Sequence, residues 1–298
     1  MFNNLRFYRV HSEWPEDEAA LSQKLAAAEF QPCGSFTENS WGVEPPVDNA
    51  GDLLARRIAG ADLLQMRVQT RVLPTAVVNE ALDERIAAFK SRTDRNPTRK
   101  EKRDLKDEVY SELLPKTLLK SERMRGFYLV NEDILAVGTS SAPQAEKFID
   151  VLRDGLGSLQ AVPLAFRHPP ESLLTKIFLG DEAGGFVLGR ECRMRDTAEP
   201  KSSVNWLETN LTDSSVRRHV QEGMEVDRLG LAFDGVLRCT LDGDLIMRKL
   251  RLEGIEQLRA EEGVDDPIAA HDAEFALYCG LIRKCLEGLK QQLGGYAT

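Results

Sequence analysis

The stretch KSRTDRNPTRKEKRDLKDEVYSELLPKTLLKSERMR, residues 90–125, decides how the chain is read. It holds twelve Lys and Arg against seven acids, a surplus of +5. The 298-residue chain has a formal net charge of −9, so everything outside the stretch sums to −14. Clustered positive charge on an acidic body suits local contact with a polyanion, because phosphates reward it even when the whole molecule repels them. From charge alone, a solvated helical face is the stronger reading.

The same stretch carries structural signals. Thr98-x-x-Glu101 reads as a capping box opening a helix. Leu105, Val109 and Leu113, with Leu114 beside them, form one apolar stripe. Pro115 lacks the donor N–H and crowds the preceding turn, so the helix should kink or end one residue earlier. Leu118 and Leu119 follow, next to Lys116 and Lys120. They either close a core or meet another protein, and core is the stronger reading.

Working outward, Pro74 begins an earlier helix over residues 75–90. The two helices make an excursion of about fifty residues between two strand regions. On the near side, residues 63–72 alternate, with Leu64, Met66, Val68 and Thr70 against Gln65, Arg67, Gln69 and Arg71, as in a half-exposed strand. Arg67 and Arg71 share a face, as surface charges or as a DNA-facing row. On the far side, residues 127–130 and 134–137 predict a hairpin across Asn131-Glu132-Asp133. Upstream, a first strand around Leu5 and Phe7 precedes a helix opened by Pro15 and running to Glu29. Residues 41–46 read as a loop from Gly42 and the paired prolines. Downstream, Ser141 caps a helix ending at Gly155 or Gly157, and residues 161–166 return as a short strand.

Pro169-Pro170 marks a boundary. Beyond it lie a helix over residues 172–179, strands near 186–194 and 204–207, and a short helix capped by Thr212. The clearest β signal follows: residues 226–233, 236–241 and 245–250, separated by Asp234-Gly235 and Asp242-Gly243. Asp266 caps and Pro267 opens the last helix, whose apolar face holds Phe275, Tyr278, Ile282, Cys285 and Leu289 and which Gly294-Gly295 ends. The chain therefore predicts an α+β fold of two layers.

Positive signs of catalysis are lacking. There is no phosphate-binding glycine loop; Gly155-x-Gly157 follows a helix and reads as its cap. His11, His168, His219 and His271 are scattered. The five cysteines, Cys33, Cys192, Cys239, Cys279 and Cys285, are widely spaced and suit neither a disulfide framework nor zinc. Acid pairs can hold Mg²⁺ for phosphodiester cleavage. Here, though, Asp242 with Asp244 reads as a turn, and Asp265 with Asp266 as a cap. No cofactor or metal is expected. No apolar run reaches the roughly 18 residues a membrane span needs, and the N-terminus lacks a secretory h-region. Cytoplasm is the default.

Several blocks, in order along nearly the whole chain, resemble the bacterial recombination-associated RdgC family. Leu105-Lys-Asp-Glu-Val-Tyr-Ser-Glu-Leu-Leu-Pro115 resembles its central motif. The others are Met1-Phe2 through Asn4-Leu5 to Tyr8-Arg9, residues 30–35, 157–164, 229–250 and 272–277, with Glu287-Gly-Leu289 and Gly294-Gly295. The resemblance implies a ring-shaped homodimer that encircles double-stranded DNA without sequence preference, also binds single strands, and limits RecA access or strand exchange. It implies no catalysis and a nucleoid-associated place in the cytoplasm. It also implies three regions: a central α+β domain (residues 1–73 plus 123–168), a projecting helical tip (74–122) and a base α+β domain (169–298).

The DNA-binding candidates are Arg92, Arg95, Arg99, Lys100, Lys102, Arg103, Lys116 and Lys120, with Arg67 and Arg71. Arg95 falls on a basic position implicated in DNA binding in the family. Leu118, with Leu119, falls where a relative has phenylalanine at the tip-to-tip contact. A further basic position of that relative falls near Leu207-Glu208 and has no basic counterpart here. Two other readings stay open: a metal-dependent DNA-processing enzyme, and a non-catalytic scaffold whose basic arm binds an acidic protein.

Overall fold

A computed structural model describes residues 1–199, 201–254 and 266–297. It contains two antiparallel sheets and seven described α-helices. The first sheet comprises β1 (Arg6–Val10), β2 (Asn39–Glu44), β3 (Ala55–Ile58), β4 (Ala61–Val72), β5 (Leu118–Leu129), β6 (Ile134–Val137) and β7 (Ala161–Pro163). Its order is β2-β4-β5-β6-β1-β7, with β3 pairing with the start of β4. The second comprises β8 (Phe186–Asp196), β9 (Ser203–Trp206), β10 (Met224–Phe233), β11 (Leu237–Asp242) and β12 (Met247–Leu252), in the order β12-β11-β10-β8-β9. The helices are α1 (Glu18–Leu25), α2 (Thr75–Thr93), α3 (Arg99–Leu113), α4 (Ala142–Leu156), α5 (Pro170–Leu179), α6 (Ser214–Gln221) and α7 (Pro267–Gln292).

The first sheet is covered on both sides, so its inner strands carry apolar residues without alternation. Tyr8, Leu64, Met66, Tyr128, Leu135 and Val137 pack beneath α1 and α4. On the other face Leu5, Phe7, Leu63, Phe127, Ile134 and Ala136 join one continuous core with α5, α7 and the second sheet. Phe2 sits at the centre of this seam, its ring 5.2 Å from Phe127 and 5.3 Å from Tyr278. Backbone bonds reinforce it: Leu5 and Met247 exchange N–H···O bonds of 2.8 and 3.0 Å, and Leu250 donates to Asn3. The Pro169-Pro170 boundary thus separates two sheets in sequence that share one core.

Helices α2 and α3 are inserted between β4 and β5. Those strands pair through twelve consecutive residue pairs, from Ala61 opposite Leu129 to Val72 opposite Leu118. Val78 and Leu82 of α2 and Val109 of α3 are buried, and Arg85 is ion-paired with Glu112 across the two helices.

Several expectations need correction. Residues 41–46 are not a loop: residues up to Glu44 form β2, registered against residues 65–70 of β4. Gly42 is there for close approach, since an added Cβ would lie 2.4 Å from the backbone of Phe30,. The helical excursion stops short of residue 122, because α3 ends at Leu113, a 3₁₀ turn follows at Leu114–Lys116, and β5 begins at Leu118. Asp17, not Pro15, caps α1, which gives way to a 3₁₀ turn at Ala26–Ala28. Asp213, not Thr212, caps α6. Ser141 stands at the cap position of α4 without a side-chain bond. In residues 63–72 the first part is buried on both faces, and only the C-terminal part is half-exposed.

Candidate nucleic-acid interface

The turn between α2 and α3 is built around Glu101. Thr98 Oγ1 accepts the Glu101 N–H at 3.3 Å and the Thr98 N–H donates to Glu101 Oε2 at 2.8 Å, completing the expected capping box. Arg95 adds a two-bond fork, Nη1 to Oε2 at 2.8 Å and Nη2 to Oε1 at 2.7 Å, and its guanidinium lies over the Phe89 ring. The Arg95 fork and the Thr98 donors hold the Glu101 carboxyl down at about 2. Arg95 is therefore an exposed cation already engaged with a carboxylate.

Helix α3 segregates its charges. Arg99, Arg103 and Lys106, at i, i+4 and i+7, share one face, bordered by Asp107 one turn after Arg103, while Glu101, Asp104, Glu108 and Glu112 occupy the reverse,. Arg92, Arg99, Lys100, Lys102, Arg103 and Lys106 are exposed, and among the described residues none has an acidic partner at ion-pair distance. Other candidates are paired. Lys116 meets Glu112 at 3.3 Å, and Lys120 meets Glu122 at 2.5 Å.

The β4–β5 ribbon has two unlike faces. Cross-strand register sets Gln65 beside Arg125, Arg67 beside Arg123 and Gln69 beside Ser121 on one of them. Glu44 of β2 serves both central arginines, at 2.6 Å from Arg123 Nε and 3.7 Å from Arg67, whose guanidinium also stacks over Phe30. Arg71, expected as a surface charge or DNA contact, is half-buried and acts within the fold. Its Nε and Nη2 donate to the Gly34 carbonyl at 3.2 and 3.0 Å, and Nη1 reaches the carbonyls of Leu114, Pro115 and Thr117. It fastens the exit of α3 to β4. The opposite face holds a groove of about 660 Å³ lined by Met66, Val68, Met124, Pro143 and Lys147. Leu118, 83% exposed, and Leu119, 42% exposed, begin β5 and take no part in a core.

Reading the sequence singled out neither Arg123 nor Arg125, whose position beside β4 follows only from register. The acid pairs have local partners: Asp242 accepts the Ile246 N–H at 3.0 Å and Arg248 Nε at 3.2 Å, and Asp266 caps α7. Asp265 lies outside the described residues. Among the described residues no group of three or more His, Cys, Asp or Glu could hold a metal ion, and no helix is long and apolar enough to cross a membrane. The five cysteines are free thiols. Burial pushes those of Cys192, Cys239 and Cys279 up to about 12.

Known proteins bear directly on this arrangement. A family model described as "Putative exonuclease, RdgC" matches residues 1–296. The chain is 31% identical to "Recombination-associated protein RdgC" of Shewanella oneidensis, over 99% of this chain and 97% of that protein. It is 29% identical to the protein of the same description from Shewanella sediminis, over 99% and 98%, and 31% identical to that of Shewanella baltica, over 99% and 97%.

Proposed function

Because the chain belongs to the RdgC family, we propose that it is a non-catalytic protein that binds double-stranded DNA without sequence preference and acts in recombination. The observation that carries this reading is the charge state of the helical insertion. Five of its candidate cations, Arg92, Arg99, Lys100, Lys102 and Arg103, have no acidic partner among the described residues, in a chain of net charge −9. Unneutralised lysine and arginine on a convex helical element is what a phosphate backbone rewards, since each contact releases condensed counterions.

In this reading α2 and α3 form a projecting tip. Two copies close a ring, tip to tip through Leu118 and Leu119 and base to base through the second sheet's region, and the duplex passes through it. Exposure of Leu118 and Leu119 supports the tip contact, because exposed leucines on a charged ribbon gain most from a partner. Encirclement would limit RecA access or strand exchange by occupying the DNA, single strands included. The protein works in the cytoplasm, on the nucleoid.

The test is binding to two unrelated duplexes of equal length, with Mg²⁺ present and the DNA end-labelled. Equal affinity and intact label are expected. Strong preference for one duplex overturns sequence independence. Shortened label that persists through purification overturns the non-catalytic reading in favour of the nuclease named in the family model's description. No DNA binding at physiological salt leaves the scaffold for an acidic protein.

A further inference from the structure

The face of the second sheet turned away from Leu229, Leu231 and Leu241 carries a row of polar side chains that register draws from five strands. Asn205 of β9 stands opposite Arg193 of β8, Arg193 opposite Arg228 of β10, and Arg228 opposite Asp242 of β11. One step along, Thr240 stands opposite Arg248 of β12. A β-bulge between Val226 and Arg228 inserts Asp227 beside Arg193,.

Most of these charges are matched. Arg193 holds Asp227 in a fork of 2.7 and 2.6 Å. Arg248 Nε donates to Asp242 at 3.2 Å, and Lys249 meets Glu191 at 2.6 and 2.8 Å. Arg228 is the least well matched, sharing Asp242 Oδ2 with Arg248. Its nearest carboxylate, Asp242, is 3.9 Å away, and its buried Nε has no hydrogen-bond partner among the described residues. Burial, and then the neighbouring Arg193 and Arg248, push its pKa below the ordinary arginine range. Asp244 acts on Arg193 only at longer range. A cavity of about 100 Å³ opens at this point, lined by the three arginines with Asn205, Trp206 and Thr240 and, at one side, by the Glu191–Lys249 pair, whose carboxylate lies 3.5 Å from the Thr240 hydroxyl. That is the space of about three waters, enough for one tetrahedral oxyanion.

We propose that this cavity is a phosphate site, in which Arg228, flanked by Arg193 and Arg248, takes the oxyanion and Asn205 and Thr240 supply neutral hydrogen bonds. Guanidinium groups match phosphate oxygens in fork geometry. A bound anion would relieve the repulsion among three arginines, which the free protein leaves standing. The four cations face three contacting carboxylates, Asp227, Asp242 and Glu191, so one positive charge answers the ligand. The phosphate is either a free ion or a phosphodiester of DNA; the second source rests on the proposed function.

The test titrates the full chain with inorganic phosphate at constant ionic strength and follows its thermal midpoint. Wild type should gain a few degrees. Arg228→Gln should not, and nor should Asn205→Asp, which puts a carboxylate at the exposed rim and keeps the assay informative if Arg228→Gln folds poorly. No gain in wild type, or an equal gain in both folded variants, overturns the site. In a parallel duplex arm, Arg228→Gln weakens binding roughly tenfold if the phosphate belongs to DNA and leaves it unchanged if the ion is free. A chain that binds no duplex would end the proposed function while the phosphate titration still reads out.

Discussion

Replacing Arg71 with alanine separates a structural arginine from a DNA-binding one. Its guanidinium makes two short bonds to the Gly34 carbonyl, 3.0 and 3.2 Å, and three longer ones, 3.3 to 3.5 Å, to the carbonyls of Leu114, Thr117 and Pro115. Bonds from charged donors are worth about 1.5–3 kcal/mol when well formed. Two donors sharing one acceptor, with the remainder long and partly exposed, bring the sum to about 2 kcal/mol. Arg71→Ala should therefore lower the unfolding free energy by that amount, seen as a lower urea midpoint at unchanged slope. It should also raise hydrogen exchange around residues 114–117, whose carbonyls lose their tie to Arg71,. The folded variant should bind duplex within about twofold of wild type, because all three guanidinium nitrogens of Arg71 are already engaged with backbone carbonyls,. Unchanged stability, or a tenfold loss of duplex affinity in a fully folded variant, would refute the clamp.

Glu101 should titrate near pH 2 by NMR; its folded value lies below the ordinary 4.5, so the stability it gives the α2–α3 turn is complete above pH 4.5 and fades as pH falls towards 2,. Arg95→Gln should move that midpoint back up, and a wild-type midpoint of 4.5 would contradict the fork. Gly42→Ala should cost about 3 kcal/mol in denaturant unfolding, since its Cβ meets the Phe30 backbone rather than a movable side chain,; a loss under 1 kcal/mol would mean β2 shifts freely. Leu118→Asp should leave stability within about 0.5 kcal/mol, because the side chain is 83% exposed,, yet shorten the lifetime on circular duplex. An unchanged lifetime removes Leu118 from ring closure.

What could be read from the sequence follows the range of the forces involved. Local chemistry was legible: the capping box at Thr98 and Glu101, the stop at Pro115, the Asp234-Gly235 turn into β11 and the Asp266 cap all act within a few residues, whereas Asp242-Gly243 opens a longer loop in which Leu241 pairs with Met247. Strand β2 was missed because Gly42 and Pro45-Pro46 look like a turn, although Gly42 is there to admit the neighbouring backbone. The start of β5 was missed because residues 118–125 are charged and expose both faces, and their twelve-pair register with β4 holds them extended. The charges of the candidate site were countable, but their availability was not. Arg71 is bound to carbonyls from two distant segments, and Lys116 and Lys120 are paired with acids that composition merely tallied. The arginine row of the second sheet left no sequence signal, since residues 193, 228 and 248 meet only through register.

The most direct measurement is the salt dependence of duplex binding for wild type and for Arg99→Gln/Lys100→Gln/Arg103→Gln, with folding checked by circular dichroism. Each lost phosphate contact reduces the log–log slope by about 0.9. If all three substituted cations face the DNA backbone, the magnitude should fall by roughly 2.7 and the loss of affinity should be the same for unrelated sequences. A folded triple variant with wild-type affinity and slope would contradict the account, and would move the DNA contact off the helical insertion.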